Sequence, residues 1–147
     1  MPTYNYPRPM LTVDIAIFQQ VSAHVQVLLI QRRQNPCAGS WALPGGFVNM
    51  EETLEQSAAR ELEEETGLVV PYLEQVHTYG DPGRDPRGRV ISVAYTALLE
   101  ESAELSLRAS SDAAAAGWFP TADLPELAFD HMQIIQDVYE LIKVRLK

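Results

Sequence analysis

The sequence predicts a mixed α/β fold, and three observations carry that prediction. Two apolar segments near the start, Leu11 to Phe18 and Val25 to Gln31, have strand character, and a later one, Arg89 to Leu99, is rich in Val, Ile, Tyr and Thr. A helix-patterned stretch follows Asn49, and a second closes the chain from Phe129 to Leu146. The order strands, helix, strands, helix calls for helices packed on a sheet. The 147 residues suffice for one compact domain with a real core, so 1–147 is expected to be a single domain. No internal repeat, low-complexity tract or linker interrupts it.

Each element has its own signal. Residues 1–10 carry Pro2, Pro7 and Pro9 and read as an extended arm. In the first strand Leu11, Val13, Ile15 and Ile17 alternate and point one way. A short polar link leads to the second strand, and Arg32 to Ser40 is a loop. Trp41 to Gly46 (WALPGG) is a rigid turn whose two glycines let backbone carbonyls approach a metal or phosphate. In the helix that follows, Leu54, Ala58, Ala59 and Leu62 recur at helical spacing and form a packing face. Asn49 is expected to cap it, with Glu52 completing a capping-box-like exchange, and Gly67 suits a left-handed stop. Val69 to Tyr79 contains strand material. Glu100 to Ala109 is acidic and suits a turn or strand. Ser110 to Ala116 reads as a loop, with Ala113 to Ala116 as a helical turn, before a short strand at Gly117 to Phe119. In the closing helix Ile134, Ile135, Val138, Leu141 and Ile142 share a face.

The stretch Gly46 to Leu68, GFVNMEETLEQSAARELEEETGL, carries the chemistry. On a helix advancing about 100° per residue, Glu65 lies roughly 40° to one side of Glu61 and Glu64 roughly 60° to the other. Three carboxylates then share one face within a turn. Like charges so close repel, and a hard divalent cation offsets the cost, because magnesium takes oxygen ligands and keeps room for substrate phosphates. Glu63 lies roughly 160° from Glu61 and is read as solvated surface.

Gly46, Glu52, Arg60, Glu61, Leu62, Glu64, Glu65, Gly67 and Leu68 match the fixed positions of the Nudix box, so the chain resembles the Nudix hydrolases, which cleave nucleoside diphosphates linked to another moiety. The resemblance sharpens the fold to an α/β/α sandwich with a mixed sheet and a loop–helix–loop box. It implies that Glu61 and Glu65 are metal ligands, with Glu64 a ligand or close neighbour, and that the carbonyl of Gly45 completes the coordination. It implies magnesium, with manganese as the alternative. Arg60 would orient a glutamate through its planar fork, and Glu52 would support the cluster from the helix start. The general base would be Glu61, or else an acid outside the box: Asp112 first, then Glu100, Glu101 and Glu104.

Composition sets the bounds. The net charge of −9 disfavours nonspecific binding to nucleic acid or an anionic membrane. The one cysteine, Cys37, rules out an internal disulfide framework and fits a reducing cytoplasm. No signal peptide is visible, and no apolar run reaches about 18 residues.

A second segment, Asp81-Pro82-Gly83-Arg84-Asp85-Pro86-Arg87-Gly88-Arg89, concentrates arginines in an acidic chain. Arginine forks suit phosphate and ribose hydroxyls. Together with the approach from Asn35 to Gly46 and the ending Leu127-Ala128-Phe129-Asp130-His131, it resembles the bacterial and archaeal ADP-ribose pyrophosphatase branch. The implied reaction turns ADP-ribose and water into AMP and ribose 5-phosphate. Arg84 and Arg87 are the candidates for substrate phosphate or ribose, with Arg32 and Arg33 behind them. Tyr79, Trp41 and Phe129 are candidates to stack on adenine and equally candidates for the core. His131 is a candidate for ligand contact, a cap or the core.

Two rivals stand beside this reading. One is a Nudix pyrophosphohydrolase for another nucleotide: a nucleotide sugar, a dinucleoside polyphosphate, an oxidised nucleoside triphosphate or capped RNA. The other is a non-catalytic ADP-ribose-sensing module, since some relatives are regulators with a winged-helix DNA-binding domain after the Nudix domain and a degraded box. Here the box is intact and the sequence ends at Lys147, directly after the expected closing helix. Relatives often pair, which leaves room for a homodimer reached through the N-terminal arm.

Overall fold

The structure, a computed structural model, describes residues 2–99 and 113–146. Its strands are β1 (Met10–Val21), β2 (His24–Arg32), β3 (Trp41–Ala42), β4 (Gly45–Phe47), β5 (Glu74–Tyr79), β6 (Val90–Leu99) and β7 (Ala113–Pro120). The helices are α1 (Leu54–Thr66) and α2 (His131–Ile142), followed by a 3-10 turn at Lys143–Arg145. The sheet is mixed. β1 and β6 pair in parallel from Met10 and Val90 to Gln19 and Leu99, and the order runs β3-β2-β1-β6-β5, with β4 on β1 and β7 on β2. All those other pairings are antiparallel.

β1 is the middle of the molecule and is buried on both faces, as central strands of a covered sheet are. Val13, Ile15 and Ile17 pack with Ala58 and Leu62 of α1. Ala16 and Phe18 face the other way and pack with Ile134, Ile135, Val138 and Ile142 of α2. The alternation of β1 therefore divides two cores, one under each helix. The result is the expected α/β/α sandwich.

Several local expectations need correction. The cap of α1 is Thr53, not Asn49: the Thr53 hydroxyl accepts from Gln56 N–H at 3.1 Å and Gln56 Oε1 accepts from Thr53 N–H at 2.9 Å. Glu52 stays outside the helix because its carboxylate is taken by Ser57 and Arg60. Asn49 is part of a preceding turn, its carbonyl accepting from Glu52 N–H at 3.2 Å. Gly67 is the left-handed stop, at φ 81°. Ala115 and Ala116 are not helical but pair with Gln31 and Ile30 as part of β7, so the ladder offered by β2 overrides the helix preference of alanine. Strand β5 takes only the second half of Val69 to Tyr79. α2 starts at His131, since Phe129 sits at φ 53°, outside helical space. Leu141 is exposed, and His131 takes a place on the buried face instead. Glu100, Glu101, Glu104 and Asp112 lie outside the described residues. Among the described residues no helix is long and apolar enough to cross a membrane.

Candidate active site

The acids of α1 are organised by one arginine. Arg60 Nε donates to Glu52 Oε2 at 2.8 Å and Oε1 at 3.1 Å, and Nη1 donates to Glu61 Oε1 at 2.8 Å and Glu64 Oε2 at 3.3 Å. Nη2 reaches the carbonyl of Phe47 at 3.3 Å. The hydrogen bond from Arg60 holds the Glu52 carboxyl below the usual carboxylate range, and the same bond pushes the guanidinium up. Glu61 and Glu65 are buried, whereas Glu64 stands exposed on the outer flank.

The turn between β3 and β4 forms the floor under these acids. Gly45 N–H donates to Glu65 Oε1 at 2.8 Å. A methyl group on Gly46 would lie 2.5 Å from the Glu61 carboxylate, so the second glycine is required by the close approach of that side chain. Gly45 is pressed equally closely on the carbonyl of Val13 and the carboxylate of Asp14 in β1.

The donor set suits a hard divalent cation. Glu61, Glu64 and Glu65 offer carboxylate oxygens from one stretch of helix, and two of them are buried, where negative charge needs a cationic partner. Among the described residues their oxygens do not converge on one point: Arg60 holds Glu61 and Glu64, and the Gly45 N–H holds Glu65. Arg60 currently serves Glu61 and Glu64 as that cation.

The same region gathers arginines. Glu61, Glu65, Gly46, Arg32, Arg33, Arg87 and Phe47 line a cleft of about 420 Å³, within the size range of small-molecule sites. Gly45, Arg84, Arg87, Asp14, Phe129 and His131 line an adjoining hollow of about 30 Å³. Arg84 and Arg87, two of the three arginines of the Gly83–Arg89 loop, already have partners. Arg84, its side chain only 5% exposed, forks onto Asp130, Nε to Oδ2 at 2.8 Å and Nη2 to Oδ1 at 2.6 Å. Burial alone would lower its pKa, but the Asp130 carboxylate outweighs this and raises it. Arg87 forks onto Asp85, with Nη2 to Oδ2 at 2.7 Å. Burial pushes the Asp85 carboxyl up, and the bonds from Arg87 overcome this and hold it below its ordinary value. Arg87 also lies 5.1 Å from the ring centres of both Phe47 and Phe129, within cation–π reach.

Arg32 is held differently. Its Nε donates to the carbonyl of Pro36 at 2.8 Å, and its guanidinium lies 5.0 Å from the Phe129 ring centre. Burial, then the nearby charge of Arg87, lowers its pKa. Phe129 faces both arginines from a left-handed backbone, a strained conformation of a kind concentrated at functional sites. Trp41 packs on Phe119 with ring centres 4.6 Å apart, and Tyr79 donates to Asp137 at 2.9 Å; both sit against the α2 core.

Sequence reasoning missed Asp14, Phe47, Asp85 and Asp130, and left His131 open. Asp14 had a usable signal: a carboxylate inside an apolar strand is expensive unless partnered. Its Oδ2 accepts from Ser92, and its Oδ1 lies 3.5 Å from His131 Nε2. The Arg84–Asp130 pair had none, because its partners are brought together only by the fold.

Residues 8–140 match the NUDIX domain. The chain is 46% identical over 112 residues to the ADP-ribose pyrophosphatase of Methanocaldococcus jannaschii, covering 76% of this chain and 64% of that protein. It is 42% identical over 137 residues to the ADPR responsive transcriptional repressor NtrR of Acinetobacter baylyi, covering 92% of this chain and 55% of that protein. The chain thus spans less than two thirds of the length of these two curated relatives. The NUDIX domain of Shewanella oneidensis NrtR, solved as a cocrystal with ADP ribose, matches with a TM-score of 0.87 at 38% identity, over 93% of this chain and 90% of that one. With the acids of α1, the glycine turn beneath them and this match over most of its length, the chain belongs to the NUDIX domain family.

Proposed function

We propose that this protein hydrolyses ADP-ribose to AMP and ribose 5-phosphate. One observation carries the reading: a single cleft is lined by Glu61 and Glu65 together with Arg32, Arg33 and Arg87, in a chain of net charge −9. Such a cleft gathers an anion beside carboxylates that a cation and a water molecule can use. The similarity to an ADP-ribose pyrophosphatase and to a domain crystallised with ADP ribose supports the choice of substrate.

Glu61, Glu64, Glu65 and the Gly45 carbonyl would hold magnesium or manganese. When bound, the ion neutralises pyrophosphate charge and acidifies a water molecule. The protein's own residues do the rest. Glu61 is the first choice to take the proton of the attacking water, with Asp112 second. Arg60 fixes the carboxylates of Glu52, Glu61 and Glu64 in place. Arg32 and Arg87 receive phosphate or ribose oxygens, and Arg84, held by Asp130, braces the loop that carries Arg87.

A second reading is a module that binds ADP-ribose without turning it over, favoured by the 42% identity to a repressor described as ADPR responsive. Magnesium-dependent turnover of ADP-ribose, beside a nucleotide sugar, a dinucleoside polyphosphate and a nucleoside triphosphate, separates the readings. AMP and ribose 5-phosphate formed fastest from ADP-ribose support hydrolysis. A faster rival substrate replaces ADP-ribose, and tight ADP-ribose binding with no turnover of any compound favours the sensor.

A further inference from the structure

The segment Glu126–His131 is strapped to the approach to the glycine turn by three rungs. Trp41 N–H donates to the Glu126 carbonyl at 3.1 Å, and Ala128 N–H donates to the Trp41 carbonyl at 2.8 Å. These two belong to a short parallel bridge between Trp41 and Leu127. In a parallel ladder the next N–H, that of Leu43, would find the Ala128 carbonyl. That carbonyl accepts instead from His131 N–H at 3.2 Å as the chain turns into α2. The Leu43 N–H donates to His131 Nδ1 at 3.0 Å, so an imidazole supplies the missing rung.

The consequences run to the acids. Leu43 and His131 are both buried, so an unmet amide here would find little water. With Nδ1 accepting, the neutral ring carries its proton on Nε2, on the side of Asp14. Immediately after Leu43, the Pro44 carbonyl accepts from Ile15 N–H at 2.8 Å. Gly45 N–H then holds Glu65, and Gly46 lies against the carboxylate of Glu61. The hollow beside the ring, about 30 Å³, has room for a water or two and none for a nucleotide.

We propose that His131 is a positioning residue: its Nδ1 pins Leu43 N–H and thereby fixes the Leu43–Gly46 turn on which Glu61 and Glu65 rest. The catalytic consequence rests on the hydrolase reading above; the structural consequence for the turn does not.

Three variants test it. His131→Asn places a carbonyl oxygen where Nδ1 stood, His131→Gln places its amide where Nε2 stood, and His131→Leu supplies neither. Amide hydrogen exchange at Leu43 and Gly45 is measured without added cation, alongside kcat and KM for ADP-ribose with magnesium. The Leu and Gln variants are expected to exchange faster at both amides by about tenfold, the scale of one lost hydrogen bond. Their kcat is expected to fall roughly 10- to 100-fold, as for other residues that orient a ligand from behind, with KM unchanged. The Asn variant is expected to stay close to wild type in both. Unchanged protection in the Leu variant overturns the proposal, as does an Asn variant no better than Gln. A raised KM with kcat intact overturns it too, since the ring would then be contacting substrate. Should the Leu variant fail to fold, the Asn and Gln pair decides. Should the wild type turn over no ADP-ribose, the hydrolase reading fails alone, and exchange still decides the role of His131.

Discussion

Replacing Gly46 by alanine puts a methyl carbon 2.5 Å from Cδ and Oε1 of Glu61 and 2.7 Å from Oε2. Ordinary contact begins at 3.4 Å, so the carboxylate has to retreat by about 0.9 Å in a close-packed site. Gly46 has no positive φ, so the backbone accepts an L side chain. The obstacle is the tip of a flexible side chain, and the fold relaxes by turning the Glu61 torsions at a cost of about 0.5–1.5 kcal/mol. That corresponds to a loss of a few degrees in Tm for a domain of this size. On the role proposed for Glu61 the functional effect is larger, because a displacement of about 1 Å in a catalytic group costs on the order of 100-fold in rate.

Gly45→Ala is the contrasting control. Its methyl group meets the Val13 carbonyl and the Asp14 carboxylate of the central strand. Backbone cannot step aside, so overpacking is expected to remove about 1–3 kcal/mol of stability. Steady-state hydrolysis of ADP-ribose and thermal melts of both variants give the comparison. The reasoning is refuted if folded Gly46→Ala keeps wild-type kcat, or if Gly46→Ala melts as low as Gly45→Ala.

Glu61→Gln keeps the volume and removes the charge, and is expected to lower kcat by about 10²- to 10⁴-fold with an unchanged melt; near-normal turnover rejects Glu61 as the base. Arg84→Ala strips the buried partner from Asp130, and urea unfolding is expected to show a loss of about 2–4 kcal/mol, below the figure for a wholly enclosed pair because Asp130 is 24% exposed. An unchanged urea midpoint would mean that the pair contributes nothing to the fold. Thr53→Ala opens the capping box and is expected to cost about 1 kcal/mol, and Asn49→Ala is expected to cost less, since Asn49 does not cap α1. His131 has its pKa lowered by burial, reinforced by Arg84 and Arg32 and opposed by Asp14 and Asp130. The unfolded chain therefore takes up a proton near pH 6.5 that the folded chain refuses, so this contribution is complete above pH 6.5 and is lost as pH falls toward the folded value. Chemical denaturation across that window should show the slope in the wild type and a flatter one in His131→Asn.

The fold was legible where the pattern is periodic and local. In β1 the alternation that predicts a strand also sorts Val13, Ile15 and Ile17 under α1 from Ala16 and Phe18 under α2. Errors gathered at ends and in short runs. In sequence, Thr53 with Gln56 and Asn49 with Glu52 offer equivalent capping boxes, and what favours Thr53 is the pull of Ser57 and Arg60 on Glu52, which depends on the folded helix. Ala113 to Ala116 has no polar alternation to mark a strand; its state is set by the free edge of β2, which lies far away in sequence.

The acids of the site were legible for the same reason, since their spacing on one helix is local. The arginines were legible as a cluster but not in their individual states. Arg84 is answered by Asp130 and its side chain is only 5% exposed, so its fork orients the loop, whereas Arg87, paired with Asp85, keeps a side chain that is 31% exposed. Arg32 points the other way. Burial, then the charge of Arg87, lowers its pKa, opposed by Cys37, Glu65 and Asp85. The sequence counts cations, but the field a cleft presents depends on which of them the fold brings together, and here Phe129 faces both Arg32 and Arg87 from one left-handed position.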